Sequence, residues 1–252
     1  MAHRDTPAPH ARHLQLVLVP SPRVGPSFWH PVASALSAIG VRAHTPQLPS
    51  LTMSYAPFWL AHAAAIANGL PEAADIVLAA HSGAGVLLPS IGRLARNRNA
   101  GTRIRGYLFV DCDLPRDGLS RFDLFADPTE ADSLRNAARD GWLPRFTDRQ
   151  LAPLLADATV RWRFLAEQPQ LAVNVYEEAI LVPDDWPEAP CAYLRLSGQY
   201  PDSVTHAQAL GWLLTQIDAH HFLPLAEPAR CATALASLAH ALTDGGTQAP
   251  AT

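Results

Sequence analysis

Ser82 stands in the run Ala80-His81-Ser82-Gly83-Ala84-Gly85, directly after the apolar stretch Asp75-Ile76-Val77-Leu78-Ala79-Ala80 and before an apolar helical pattern reaching about Ala95. A serine between the end of a buried strand and the start of a helix sits on a tight turn. Its hydroxyl is then exposed at the carboxyl edge of the sheet, where open α/β sheets bind ligands. Such a turn brings strand and helix into close contact, so the positions two before and two after the serine must be small. Here they are Ala80 and Ala84, with Gly83 and Gly85 adding room. The plainer reading of Ser82 is a serine N-cap on the following helix. As a nucleophile it needs a base, and Asp218-Ala219-His220-His221-Phe222-Leu223 supplies histidine on a loop. Asp111 closes the run Tyr107-Leu108-Phe109-Val110, and Asp202 follows Leu194-Arg195-Leu196-Ser197-Gly198. A carboxylate at the end of a buried strand needs a partner to offset its desolvation, and a histidine would serve. Asp202 could instead begin a helix. Together these groups could carry out acyl transfer, with serine attacking a carbonyl, histidine taking its proton and an aspartate orienting the imidazole.

The elements that must position them follow from hydrophobic pattern. Leu14 to Val19 is short, apolar and β-branched, and stops at Pro20-Ser21-Pro22, as a strand buried on both faces does. Phe28 to Ile39 has helical spacing and ends at Gly40, and Val41 to Thr45 reads as a second strand. Tyr55 to Leu70 is helical, Asp75 to Ala80 and Ile104 to Val110 are strands, and Cys191 to Leu196 is another. A helix over about Ser203 to Leu214, a short strand near Gln216 to Asp218 and a helix from about Pro228 to Leu242 complete the pattern. Alternation of this kind predicts a mostly parallel sheet of about six strands covered by helices on both faces. Between Leu114 and Pro190 the rhythm breaks into helical patches such as Ala131 to Arg139 and Leu171 to Ile180, which reads as a helical cap inserted in one domain. That domain is expected over residues 14–243, with a disordered tail over 1–13 and a flexible one over 244–252.

Composition narrows the function classes. With 252 residues and 48% of them hydrophobic, the chain can bury one large core. A net charge of −4 without long like-charge runs offers no basic stripe for nucleic acid. The run Leu14 to Val19 is too short for a signal segment or a membrane span, so a cytoplasmic protein is expected, with no membrane partner. Cys112, Cys191 and Cys231 fit neither a disulfide framework nor zinc spacing and read as buried free thiols. His3, His10 and His13 lie in the polar N-terminal stretch and are assigned no metal.

The succession of a strand, His81-Ser82-Gly83-Ala84-Gly85, a strand ending in Asp111, a cap and a late His221-Phe222 resembles the α/β-hydrolase fold superfamily, esterase and thioesterase type, over about Leu14 to Leu242. The resemblance implies Ser82 as nucleophile and His221, which directly precedes an aromatic residue, as base. It places the acid either after the next-to-last strand, at Asp202, or after the strand that follows the nucleophile helix, at Asp111; Asp111 is favoured. It implies an oxyanion hole with one backbone N–H from Gly83 and one from the loop after the first strand. There Pro22 occupies the donor position and has no N–H, so Arg23 or the Ser21 hydroxyl is expected to substitute, or the reaction has no tetrahedral oxyanion. Losing one such donor lowers an acyl-transfer rate by about 10²–10³-fold.

The resulting expectation is a serine hydrolase acting on a medium-sized, mostly hydrophobic ester, thioester or lactone without metal or organic cofactor. Pro22, His81 and the cap tryptophans Trp142, Trp162 and Trp186 are expected beside the substrate. The alternative keeps the pocket but makes it a cyclase, lyase, isomerase or small-molecule receptor, since fold alone does not fix function. Gly83-Ala84-Gly85 also resembles the start of a dinucleotide fingerprint, but Leu88 occupies the third glycine position and no acidic residue follows at the required distance.

Overall fold

The structure, a computed structural model, describes residues 13–47, 56–98 and 101–244. The tails expected over 1–13 and 244–252 therefore lie outside the described residues, apart from His13 and Asp244.

Six strands form one sheet: β1 (Leu14–Val19), β2 (Arg42–His44), β3 (Asp75–His81), β4 (Arg103–Val110), β5 (Cys191–Arg195) and β6 (Leu213–Gln216). Their order is β2-β1-β3-β4-β5-β6, and every neighbouring pair is parallel. Parallel neighbours require crossovers, and helices supply them on both faces. Alternate strand residues accordingly enter two separate cores. Val17, Val19, Ile76, Leu78, Ala80, Tyr107 and Phe109 face α2 (Phe58–Asn68) and α3 (Leu88–Asn97). Leu16, Leu18, Val77, Ala79, Leu108 and Val110 face α1 (His30–Ala38) and the C-terminal helix Pro228–Asp244. Register ties the carboxyl ends together: Val19 pairs with Ala80, and His81 with Val110. The residues that follow β1, β3 and β4 therefore emerge side by side at one sheet edge.

Between β4 and β5 lie α4 (Pro128–Ala137), α5 (Asp148–Leu151), α6 (Ala158–Glu167) and α7 (Asn174–Glu177). After β5 come α8 (Pro201–Ala209), β6, α9 (Leu223–Ala226) and α10 (Pro228–Asp244). Two sequence expectations are corrected. The helix expected to run to Leu214 ends at Ala209, and the last strand is Leu213–Gln216 instead of 216–218. Gly211, at φ +68, reverses the chain there, so Leu213 and Leu214 pair with Ala192 and Tyr193 of β5. Only Asn174–Glu177 of the stretch 171–180 is helical, because Leu171 and Ala179 are engaged in backbone contacts with Leu143 and Ser120. Cys112, Cys191 and Cys231 are free and buried. Among the described residues no helix is long and apolar enough to cross a membrane.

Candidate active site

Ser82 occupies the turn between β3 and a 3-10 segment, Ser82–Leu87, that leads into α3. Its φ of +56 is the left-handed conformation that non-glycine residues adopt only where surroundings enforce it. The enforcement is visible at Gly85, where a Cβ would lie 2.5 Å from the Asp113 carbonyl oxygen and 2.7 Å from Cys112 Sγ. The turn can pack against the end of β4 only because that position carries no side chain. The strain thus holds the serine hydroxyl above the sheet edge.

Asp111 follows β4 and also has a positive φ, +43, with its carboxylate fully buried. It accepts hydrogen bonds from the N–H groups of Leu196 (3.0 Å) and Ser197 (2.9 Å) and from the Ser197 hydroxyl (2.7 Å). The fourth donor is His221 Nδ1, at 2.8 Å from Oδ2. Burial opposes the charge, but His221 and these donors outweigh it and bring the Asp111 pKa down to about 2. Tyr193 of β5 fixes the next residue, accepting from the Cys112 N–H (3.0 Å) and donating to its carbonyl (2.7 Å). Asp202 is exposed in the first turn of α8. The structure brings Asp111, and not Asp202, to the histidine.

His81 lies beneath His221. Its ring is 4.3 Å from the His221 ring and stacked 4.8 Å from Phe28, and Nε2 donates to the His221 carbonyl at 3.0 Å. Full burial, reinforced by His221, depresses its pKa well below the ordinary histidine range. A neutral His81 therefore shapes the loop that carries His221.

Ser82, His81 and His221 line a cavity of about 530 Å³ with Ser21, Arg23, Asp113, Arg121, Phe125, Phe146, Tyr176 and Tyr200 among its walls. The Ser82 Oγ lies 3.3 Å from the Tyr200 hydroxyl, and no Ser82–His221 hydrogen bond is formed. On the β1 side, Pro22 is buried in a turn closed by the Val24 N–H on the Ser21 carbonyl (3.1 Å). The Arg23 N–H is directed at Ser21 Oγ (3.4 Å), and its guanidinium is held by the Pro144 carbonyl (2.7 Å) over the Phe146 ring. Beside Gly83, the place a Cβ would take is 3.5 Å from Ser21 Oγ and 3.6 Å from Pro22 Cδ. Gly83 is the second residue of the helical segment Ser82–Leu87, whose leading N–H groups have no carbonyl within it to bond.

Of the residues expected beside the substrate, His81 lines the cavity, whereas Pro22, buried in the turn after β1, is not among its walls and the three tryptophans are elsewhere. Trp162 is 70% exposed, Trp142 bridges Arg139 and Ala172 through its backbone, and Trp186 packs on Tyr107, Phe109 and Trp212. The aromatic walls are instead Phe125, Phe146, Tyr176, Tyr200 and Phe222. Sequence reasoning missed Ser197 and Tyr200, as well as the buried ion pair of Asp113 with Arg121. Burial works against the Arg121 charge, but Asp113 and the neighbouring tyrosines hold it protonated.

The sequence matches the alpha/beta hydrolase family over residues 16–234. Solved structures resemble the chain over nearly its whole length. An extracellular alpha/beta-hydrolase from a Paenibacillus species, described as sharing structural and functional homology with tobacco salicylic acid binding protein 2, is 17% identical with a TM-score of 0.71, covering 89% of this chain and 98% of its own. Tomato methylketone synthase I, solved with 2-tridecanone, is 13% identical at a TM-score of 0.69, covering 90% and 98%. A pyrethroid hydrolase from Sphingobium faniae is 17% identical at 0.62, again covering 90% and 98%. At these identities the likeness is one of fold. No curated protein matches the chain.

Proposed function

The chain belongs to the alpha/beta hydrolase family, and we propose that within it the protein is a serine hydrolase that forms an acyl-enzyme on Ser82. The observation that carries this reading is the buried Asp111–His221 hydrogen bond at the edge of a cavity that also contains Ser82 on a strained strand-to-helix turn. His221 takes the Ser82 proton as Oγ bonds to the substrate carbonyl carbon, and Asp111 stabilises the imidazolium that results. His221 then protonates the leaving group, and water repeats the sequence to release the acid. The Gly83 N–H and the Ser21 hydroxyl receive the oxyanion, the hydroxyl standing in for the N–H that Pro22 lacks.

The cavity volume lies within the usual range for small-molecule sites. Leu124, Phe125, Leu134, Phe146 and Phe222 offer an apolar surface, which supports a medium-sized ester, thioester or lactone whose bulk is hydrophobic. The pyrethroid hydrolase among the similar structures is consistent with that class.

A second reading, non-hydrolytic chemistry in the same pocket, is favoured by Pro22 and by the resting contact of Ser82 with Tyr200. The two are separated by turnover of p-nitrophenyl esters of graded acyl length. The hydrolase reading predicts catalytic release of p-nitrophenol by wild type and none above background by Ser82→Ala. Equal rates in the two proteins would sink it.

A further inference from the structure

The loop after β5 performs two tasks within five residues. Its first part, Leu196 and Ser197, holds the Asp111 carboxylate; its end, Tyr200, places a phenol 3.3 Å from the Ser82 Oγ. The Tyr200 ring lies 5.7 Å from the His221 ring, so nucleophile, base and phenol meet at one point of the cavity wall. Burial raises the phenol pKa well above its ordinary value, so it is a donor throughout the working pH range, and the nearby positive charge of Arg121 favours that donation.

We infer that Tyr200 is a catalytic residue whose hydroxyl donates a hydrogen bond to the Ser82 oxygen as charge develops on it. This rests on the serine hydrolase reading above. When the single Ser82 proton is directed to His221, the phenol is the group placed to donate to Oγ. Sheet order sets which oxygen it serves. From β3, the oxyanion turn Ser21–Val24 lies on the β1 side, whereas Tyr200 arrives from the β4 and β5 side. The phenol therefore addresses the nucleophile oxygen and not the carbonyl oxygen of the substrate. In acylation the Oγ–H bond breaks toward His221 while Oγ bonds to the carbonyl carbon, and the phenol keeps its proton. In deacylation the Oγ–carbon bond breaks and Oγ leaves with the electron pair, taking a proton back from His221. The same hydrogen bond stabilises that departure, by microscopic reversibility.

The test is the second-order rate of fluorophosphonate modification of Ser82, followed by intact mass, together with kcat and KM on a p-nitrophenyl ester that wild type turns over. Tyr200→Phe keeps the ring packing and removes only the donor. The labelling rate and kcat are expected to fall together by about 10²-fold, the lower end of the range for losing a donor to developing charge, with KM unchanged. A thermal midpoint matching wild type is expected alongside. Tyr200→His, which restores a ring-borne donor at that place, is expected to recover part of the labelling rate. Labelling and kcat at the wild-type level in Tyr200→Phe overturn the inference while leaving the serine hydrolase reading standing. So does a loss expressed mainly in KM, or one that Tyr200→His fails to relieve. Wild type that does not label at all removes the reading and the inference together.

Discussion

Asp111 and Asp202 were both legible as candidate acids, and the physical reason for preferring one lay in the sequence. A carboxylate closing a fully apolar strand has to be compensated, and here three donors and a histidine do so, while Asp202 is exposed at the cavity wall in the first turn of α8. Asp111→Asn removes the negative partner of the imidazolium and disturbs the His221 tautomer, so kcat is expected to fall by about 10³-fold or more. Asp202→Asn is expected to stay within about fivefold of wild type, since exposed charges interact weakly. Steady-state kinetics of the two variants check this; a severe loss in Asp202→Asn with Asp111→Asn intact would reverse the assignment. Ser197 and Tyr200 carried no such signal. A serine and a tyrosine in a polar loop look like any others until the sheet order brings the loop after β5 beside the ends of β3 and β4. The tryptophans misled for the converse reason: aromatic composition marks burial or pocket alike, and side-chain direction within the insertion is set by packing.

At the scale of elements, apolar runs bounded by proline and glycine located β1, β3, β4 and β5 closely, because strands buried on both faces must be continuous in hydrophobicity. The boundary at β6 was illegible because Leu210, Leu213 and Leu214 also continue a helical spacing, and the backbone reversal at Gly211 decides between them. Helix α2 carries a pH dependence of its own. His62 is 1% exposed on its inner face, neither ring nitrogen has a hydrogen-bond partner among the described residues, and burial lowers its pKa from 6.5 to about 4. Between those values the unfolded chain binds a proton that the folded protein refuses. Stability is therefore complete above about pH 6.5 and declines as pH falls toward 4, by on the order of 3 kcal/mol. His62→Leu is expected to flatten this decline. Thermal midpoints at pH 7.5 and pH 5 check it, and parallel losses in wild type and variant would contradict it.

For the molecule as a whole, the helical segment between β4 and β5 is fastened to the rest of the fold by two carboxylates that cap segments with no side-chain cap of their own. Glu178 accepts from the N–H groups of Phe58 (2.7 Å) and Trp59 (2.9 Å) at the start of α2. Glu167 accepts from the Ser27 N–H (3.0 Å) and hydroxyl (2.5 Å) in the 3-10 segment after β1. Glu178→Ala is expected to lower stability by about 1–2 kcal/mol, the scale of losing an N-terminal cap. Urea denaturation reads the change, and a midpoint equal to wild type would show that the insertion is held by apolar packing alone. That no strand falls between β4 and β5 was legible from the broken rhythm, but the attachment of this segment was not, because each contact joins residues more than a hundred positions apart. These fastenings matter because the segment supplies Phe125, Phe146 and Tyr176 to the cavity over Ser82. Whether Ser82 is an activated nucleophile is read by the intact mass of the folded protein after exposure to a fluorophosphonate, wild type against Ser82→Ala. A single adduct on wild type and none on the variant is the expected result; unmodified wild type, or equal modification of both, would rule out an activated Ser82.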